Sequence, residues 1–237
     1  MSQSSAEGSR LLRIGQAITL FVAGVLGLGL GSSLWIGAAS TLGVAEGTTA
    51  YQIVGTAVRY LGFVAPVALF VVAEGDRTLL SGGVPDRREA AIAVGAIVAL
   101  YVGQYVLLSA FSQIGVAPSQ NPALDPETHA PAYFLWMVPV SLLVVGPAEE
   151  LLVRGGLQGV LRRSWGPWPS IVGASALFGS LHYIGGGSGA LAYVAFSFLL
   201  GILLGSLYER TGNLLVPAIA HGGYNAVLYA IQYWQVA

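Results

Sequence analysis

The stretch SLLVVGPAEELLVR, residues 141–154, places two adjacent glutamates and an arginine inside a run of apolar side chains. The rest of the chain has the same character. Of its 237 residues, 55% are hydrophobic and 9% are charged, whereas an ordinary soluble domain has roughly a quarter of its residues charged. The sequence therefore predicts an integral membrane protein. Charge at membrane depth is costly, so Glu149, Glu150 and Arg154 indicate a functional site.

Seven apolar runs follow one another along the chain, most of them close to the ~20 residues that a membrane-crossing helix needs. They cover Ile14–Ile36, Tyr51–Ala73, Ala90–Phe111, Ala132 to about Val153, about Pro169–Ile184, Ala190–Tyr208 and Leu214–Tyr233. We predict an all-α fold, a polytopic membrane helix bundle of about seven transmembrane helices. In the first run, Gly27, Gly29 and Gly31 predict close packing against another helix.

Charged residues between the runs predict the orientation. The chain has no lysine, and if the spans alternate, every arginine outside a span falls on one side. Glu46, Asp125 and Glu127 then lie on the other side. The positive-inside rule predicts a multi-pass protein of the cell membrane with its N-terminus in the cytoplasm and its C-terminus outside. Arg59, inside the second run, stays open between snorkelling, pairing with a carboxylate and binding a substrate C-terminus.

The polar stretch Ala117 to Ala130, with three prolines, is the one plausible boundary. We expect accessory transmembrane helices in residues 1–116, an extracytoplasmic loop in 117–131 and a catalytic core in 132–237. His129 in the loop is expected to be a solvated surface residue. The absence of cysteine excludes disulfides and thiolate chemistry. No basic patch indicates nucleic-acid binding, so the predicted partners are the lipid bilayer and a membrane-associated substrate.

The two glutamates are expected to have different roles. On a helix Glu150 and Arg154 lie four residues apart on one face, whereas Glu149 points about 100° away from Glu150. Arg154 is expected to neutralise Glu150, which leaves Glu149 free to face a cavity. The alternative is a buried polar staple between helices, with no catalytic role.

Two histidines and an asparagine on later runs favour catalysis. Counted from the predicted cytoplasmic ends at ~1.5 Å per residue, Glu149, His182, His221 and Asn225 all lie roughly 12–21 Å deep. In such a layer Glu149 would accept a proton from water, and His182 and His221 would position that water or hold a metal. Asn225 would donate to a developing oxyanion. This chemistry is hydrolysis of an acyl bond.

Zinc is a candidate cofactor. His182, His221 and a carboxylate on separate helices are a possible ligand set that leaves one position open for water. A metal-free site, with Glu149 as base and the histidines as hydrogen-bond partners, is equally consistent with the sequence. The two alternatives stay open at this point.

Three motifs in order carry a family resemblance. Glu149-Glu150-Leu151-Leu152-Val153-Arg154 matches EExxxR, Phe178-Gly179-Ser180-Leu181-His182 matches FxxxH, and His221-Gly222-Gly223-Tyr224-Asn225 matches HxxxN. Together they resemble the CAAX-protease and bacteriocin-processing family, also called the ABI or type II CAAX prenyl endopeptidase family. The resemblance covers about Ala132 to the C-terminus.

The resemblance implies an intramembrane endopeptidase, commonly described as a metalloprotease, that cleaves a membrane-associated protein or peptide. It implies that Glu149 activates water, that Glu150 and Arg154 support it, and that His182, His221 and Asn225 complete the site. Two other functions are alternatives: a catalytically silent membrane scaffold or immunity factor of the same fold, and a proton-coupled transporter. A transporter usually has repeat-related halves, and none is evident in the sequence.

Overall fold

The computed structural model describes residues 3–119, 121–183 and 187–237, and within these ranges it contains helices and no β-strand. The predicted all-α class is confirmed. Seven helices follow in order: α1 Gln3–Leu42, α2 Thr49–Glu74, α3 Arg87–Gln113, α4 Pro131–Arg162, α5 Pro167–Ser180, α6 Gly187–Thr211 and α7 Leu215–Val236. Short 3₁₀ turns at Arg77–Leu80 and Pro122–Leu124 lie in the connections.

Five of these helices, α1 to α4 and α6, are long and apolar enough to cross a membrane, so the chain is a multi-pass membrane protein. The other two predicted spans correspond to α5 and α7. Helix α5 has 14 residues, about 21 Å of helix, which is less than the ~30 Å hydrocarbon core. The run predicted for α5 ended at Ile184, which lies outside the described residues. Helix α7 is long enough, with 22 residues, but carries polar side chains.

Helices α1 and α2 form an antiparallel hairpin whose backbones meet at glycine. A Cβ atom on Gly27 would lie 2.4 Å from the carbonyl oxygen of Gly62, and one on Gly31 would lie 3.0 Å from the Cα atom of Arg59. Larger side chains would therefore push the two helices apart. Close packing at Gly27 and Gly31 is confirmed, whereas Gly29 faces open space.

Helix α4 is not a uniform α-helix. Residues Ser141–Val145 and Leu151–Gln158 have π-helical hydrogen bonding, and the five α-helical residues Gly146–Glu150 lie between them. The helix also continues nine residues past the predicted end near Val153, to Arg162. π-Helical turns inside α-helices are often found at functional sites, and here they flank the glutamate pair.

One hydrophobic core joins the N-terminal helices to the rest of the bundle. Its buried members come from every helix and include Leu20, Phe63, Leu100, Leu152, Phe178, Leu204 and Tyr224. The core is therefore shared by the helices on both sides of residues 117–131, and the assignment of accessory and catalytic parts stays a prediction. Residues 1–116 pack directly against the helices that carry the motifs.

The arginine-bearing segments meet at one end of the bundle. Arg163 at the end of α4 pairs with Glu74 at 3.2 Å and Asp76 at 2.6 Å, both beside the end of α2. Arg162 pairs with Glu209 of α6 at 2.9 Å. This common end agrees with the alternation of spans used to predict the topology. Which side of the membrane it faces stays a prediction.

Candidate active site

Glu150 and Arg154 form a fully buried ion pair on α4. The Nε atom of Arg154 donates to Oε2 of Glu150 at 2.8 Å, and neither side chain is exposed. Because Arg154 lies in a π-helical stretch, this contact is made without regular α-helical geometry. A lone charge at this depth would be strongly destabilising, so each partner makes burial of the other tolerable.

His221 on α7 lies between the two carboxylates. Its Nδ1 atom is 2.9 Å from Oε1 of Glu150, and its Nε2 atom is 3.4 Å from Oε2 of Glu149. The separation of roles that the sequence predicts for the glutamates is therefore incomplete, because one imidazole contacts both. Glu149, Glu150, Arg154 and His221 form a single connected group.

The hydrogen-bond donors in this group can be assigned from the donor and acceptor capacity of each side-chain atom. Glu150, ionised beside Arg154, can only accept hydrogen bonds, so Nδ1 of His221 carries a proton and donates it. Nε2 and the carboxylate of Glu149 would both be acceptors if His221 were neutral and Glu149 ionised. Their contact is favourable only with a proton between them. A proton placed between these two groups would make the contact favourable, and such an arrangement suits acid–base chemistry.

Tyr60 on α2 is a member of the site that the motifs do not contain. Its hydroxyl donates to Oε1 of Glu149 at 2.9 Å. The carboxylate of Glu149 is thus held from two sides, by α2 and by α7. A tyrosine in an apolar run usually lies at the membrane interface, and no sequence pattern points Tyr60 towards Glu149, so sequence reasoning missed it.

His182 follows the last turn of α5 and joins the group through aromatic contacts. Its Nδ1 atom lies 2.9 Å from the carbonyl oxygen of Phe178. Because a carbonyl only accepts, Nδ1 donates this hydrogen bond, and Nε2 has no hydrogen-bond partner among the described residues. The ring of Phe178 lies edge to face with His182 at 4.7 Å and with His221 at 5.7 Å. The ring of Phe178 therefore contacts both histidine rings and links His182 to His221.

Two other predicted residues lie outside this bonded group. Asn225 is half-buried one turn after His221, and among the described residues its amide has no hydrogen-bond partner. His129 stacks on Tyr133 at 4.0 Å, and its Nδ1 atom lies 3.0 Å from the carbonyl of Asp125. His129 is thus half-buried and bonded, which differs from the solvated surface residue that the sequence predicted.

Glycines bring α4 and α7 into backbone contact beside the site. A Cβ atom on Gly146 would lie 2.7 Å from the Cα of Gly222, and one on Gly222 would lie 2.6 Å from the carbonyl oxygen of Ser141. Gly146 precedes the glutamates by one turn and Gly222 follows His221. This close approach lets His221 reach both carboxylates.

A zinc site needs several His, Asp or Glu side chains with free donor atoms directed at one point. No three His, Asp or Glu side chains within residues 3–119, 121–183 and 187–237 converge as a metal ion requires. Both ring nitrogens of His221 already face carboxylates, and Nδ1 of His182 is used by Phe178. This arrangement of donors fits the metal-free alternative better than a zinc site formed by His182 and His221, and the choice between the two stays a prediction.

The uncharacterized protein YpbD of Bacillus subtilis (strain 168) is 40% identical over 87 residues, which are 36% of this chain and 40% of YpbD. No solved structure matches the chain. The family described as type II CAAX prenyl endopeptidase Rce1-like matches residues 131–227. Those residues contain every motif position of the site, so this part of the chain is similar to the type II CAAX prenyl endopeptidase Rce1-like family.

Proposed function

We propose that this protein is an intramembrane endopeptidase that hydrolyses a peptide bond of a membrane-associated protein or peptide. The observation that carries the proposal is the position of Glu149. Its carboxylate lies 2.9 Å from the Tyr60 hydroxyl and 3.4 Å from the His221 ring. Its side chain keeps 11% exposure while that of Glu150 has none, so Glu149 is the carboxylate that water can reach.

Glu149 acts as the general base. With a proton on Nε2 of His221, the carboxylate of Glu149 accepts a proton from water as the water oxygen attacks the carbonyl carbon of the substrate. The tetrahedral intermediate then collapses, the carbon–nitrogen bond breaks, and the proton on Glu149 passes to the leaving amine. The products are a carboxylic acid and an amine, and no other reactant is needed.

Glu150 and Arg154 position His221 rather than touch the substrate. The Nδ1–H of His221 donates to Glu150, whose charge Arg154 balances. A histidine fixed in this way presents Nε2 towards Glu149 in one orientation. His182, with its free Nε2 atom, and Asn225, with its amide, are the groups proposed to contact the substrate carbonyl or the water.

A single experiment can identify the substrate and test Glu149 as the general base. The proposal expects that cells carrying Glu149→Ala accumulate an uncleaved membrane polypeptide, detected by proteomics of the membrane fraction. Glu127→Ala is the matched control, because Glu127 lies in an exposed loop. Its membrane proteome should equal that of the wild type.

The same substrate, once identified, is then cleaved with purified protein. Loss of cleavage in the Glu149→Ala, His182→Ala and His221→Ala proteins, each still folded in detergent, is the expected result. Undiminished cleavage by Glu149→Ala protein would overturn the mechanism. A wild-type membrane proteome identical to that of Glu149→Ala cells would overturn the endopeptidase assignment.

A further inference from the structure

A cavity near the glutamate site is lined by Arg59, the residue that precedes Tyr60 on α2. Its volume is about 360 Å³, within the range of ligand pockets. It opens between the C-terminal part of α1, the first half of α2, the connection before α4 and the start of α4. Its lining combines aromatic and polar side chains with one cation, and includes Trp35, Gln52, Thr56, Arg59, His129 and Tyr133.

Arg59 is the charged group of this cavity and is unbalanced. It lies ten residues into α2, about 15 Å along the helix from Thr49. None of the described carboxylates is within ion-pairing distance of its guanidinium, in contrast to Arg154, Arg162 and Arg163. A cation at such depth without a counter-ion is expensive. A ligand with a negative charge would remove that cost.

The polar neighbours of Arg59 favour a small anion over a large headgroup. Trp35 uses its Nε1–H on the carbonyl of Tyr51, and Gln52 uses its amide on the carbonyl of Thr128. The side-chain N–H donors of Trp35 and Gln52 are thus already used in hydrogen bonds. The guanidinium of Arg59 is therefore the donor that is available to bind an anion. A planar guanidinium binds a carboxylate through two parallel hydrogen bonds.

Tyr60 links the cavity to Glu149. The guanidinium carbon of Arg59 lies 5.6 Å from the centre of the Tyr60 ring, and the hydroxyl of the same ring donates to Glu149. One tyrosine side chain therefore separates the cation from the proposed base. Roughly three or four extended residues, at ~3.3–3.6 Å each, cover that distance.

We propose that Arg59 binds a carboxylate of the substrate peptide within about four residues of the cleaved bond. This inference rests on the proposed endopeptidase function and names a specificity-determining residue for it. The carboxylate belongs either to the C-terminus of the peptide or to an acidic side chain. Both sources offer the same chemistry to Arg59.

Binding to three fluorescent apolar decapeptides distinguishes these sources. The first has a free C-terminus, the second is the same peptide with an amidated C-terminus, and the third is amidated with one aspartate among its last four residues. Full-length protein in phosphatidylcholine nanodiscs is titrated with each, and anisotropy reports the dissociation constant. We expect the amidated peptide to bind about tenfold more weakly than at least one of the peptides with a carboxylate.

Arg59→Gln protein should lose this preference and keep the weaker binding of the amidated peptide, whereas Arg59→Lys should retain part of it. Arg210→Gln is the matched control, because Arg210 is exposed outside the cavity. Equal binding of all three peptides by the wild type, or a preference that survives Arg59→Gln, would overturn the proposal.

A lipid headgroup is the competing occupant, and the same proteins test it. If bound phosphatidylglycerol, measured by native mass spectrometry, falls with Arg59→Gln while the peptides bind equally, the cavity is a lipid site and the proposal is wrong. These readouts need no cleavage. Loss of the carboxylate preference and failure of the Glu149 mechanism are therefore separate results.

Discussion

Tyr60 of α2 donates a hydrogen bond to Glu149 of α4 across 2.9 Å. This bond joins a helix outside the Rce1-like match to the carboxylate proposed as the base. The N-terminal helices therefore complete the site as well as anchor it. A fragment consisting of residues 131–227 would lack one of the two groups that hold Glu149.

Tyr60→Phe removes the hydroxyl and keeps the ring that packs against Phe63. Hydrogen bonds to charged groups contribute about 1.5–3 kcal/mol, so we expect kcat to fall about 10- to 100-fold. Cleavage of the identified substrate by purified protein measures this. Tyr105→Phe is the control, since Tyr105 is exposed on α3 and bonds Tyr101. Equal kcat for Tyr60→Phe and the wild type would show that the bond is dispensable.

Glu150→Gln leaves Arg154 buried without its counter-ion. Breaking a buried pair by removing one partner costs about 3–5 kcal/mol of unfolding free energy. Thermal unfolding in detergent should therefore show a larger loss for Glu150→Gln than for Glu149→Gln, because Glu149 is no partner of Arg154.

Replacing both members of the pair separates stability from activity. Glu150→Leu combined with Arg154→Met removes both charges and should recover much of the lost stability. It should not recover cleavage, because His221 loses the acceptor for its Nδ1–H. A stable and fully active double variant would contradict the positioning role of Glu150.

Gly222→Ala tests the backbone contact between α4 and α7. The added Cβ would lie 2.6 Å from the carbonyl oxygen of Ser141, so the helices must separate. We expect a loss of about 1–3 kcal/mol of stability and a larger loss of activity, as His221 moves away from the carboxylates. Gly29→Ala is the control, since a Cβ there meets open space. Equal stability and activity of the Gly222→Ala and Gly29→Ala proteins would show that the α4–α7 backbone contact does not position His221.

Metal content is expected to be substoichiometric. Both ring nitrogens of His221 face carboxylates, Nδ1 of His182 bonds the carbonyl of Phe178, and no group of three ligands converges in the described residues. Elemental analysis of the active protein should find far less than one zinc per chain, and activity should survive exhaustive chelation. One zinc per chain, lost together with activity and restored with it, would establish a metal site in a different arrangement of these side chains.

Asp76 makes the stability of the arginine-bearing end of the bundle depend on pH. Hydrogen bonds from the Thr78 hydroxyl and backbone, then the Arg163 guanidinium, lower the pKa of its carboxyl. A lowered pKa stabilises the fold above the unfolded value of ~3.9, and that contribution is lost as pH falls through the folded value. Asp76→Asn should lower the unfolding temperature slightly at pH 7.

The same comparison at low pH provides the check. Below about pH 3 both the wild type and Asp76→Asn lack the charge, so the difference in their unfolding temperatures should shrink. Glu46→Gln is the control, because Glu46 is exposed in the α1–α2 connection. A difference that is unchanged by pH would assign the effect to packing rather than to charge.

Hydropathy was sufficient for the fold class and the approximate position of every helix, because lipid leaves helices as the simple way to satisfy the backbone of an apolar run. It was not sufficient for helix ends. α4 extends past Val153 to Arg162 because the segment with Gly155 and Gly156 is buried among other helices rather than in lipid. Local composition does not distinguish these two surroundings.

Contacts between motif residues of one helix could be predicted from the sequence. Contacts between residues of different helices could not be predicted as well. The Glu150–Arg154 pair follows from spacing, whereas the contact of His221 with both glutamates depends on how closely α7 approaches α4. Tyr60 and the π-helical stretches leave no periodic signal. They arise from tertiary packing, which a single sequence reports only indirectly.

The order of the helices along the chain has a consequence for biosynthesis. Because Arg154 bonds Glu150 within α4, this helix can enter the membrane with its own counter-ion before later helices exist. His221 lies on α7, which is synthesised after every other helix of the site. The nascent protein therefore carries an incomplete group of site residues until α7 docks, so the proposed hydrolysis would begin only after α7 has joined the bundle.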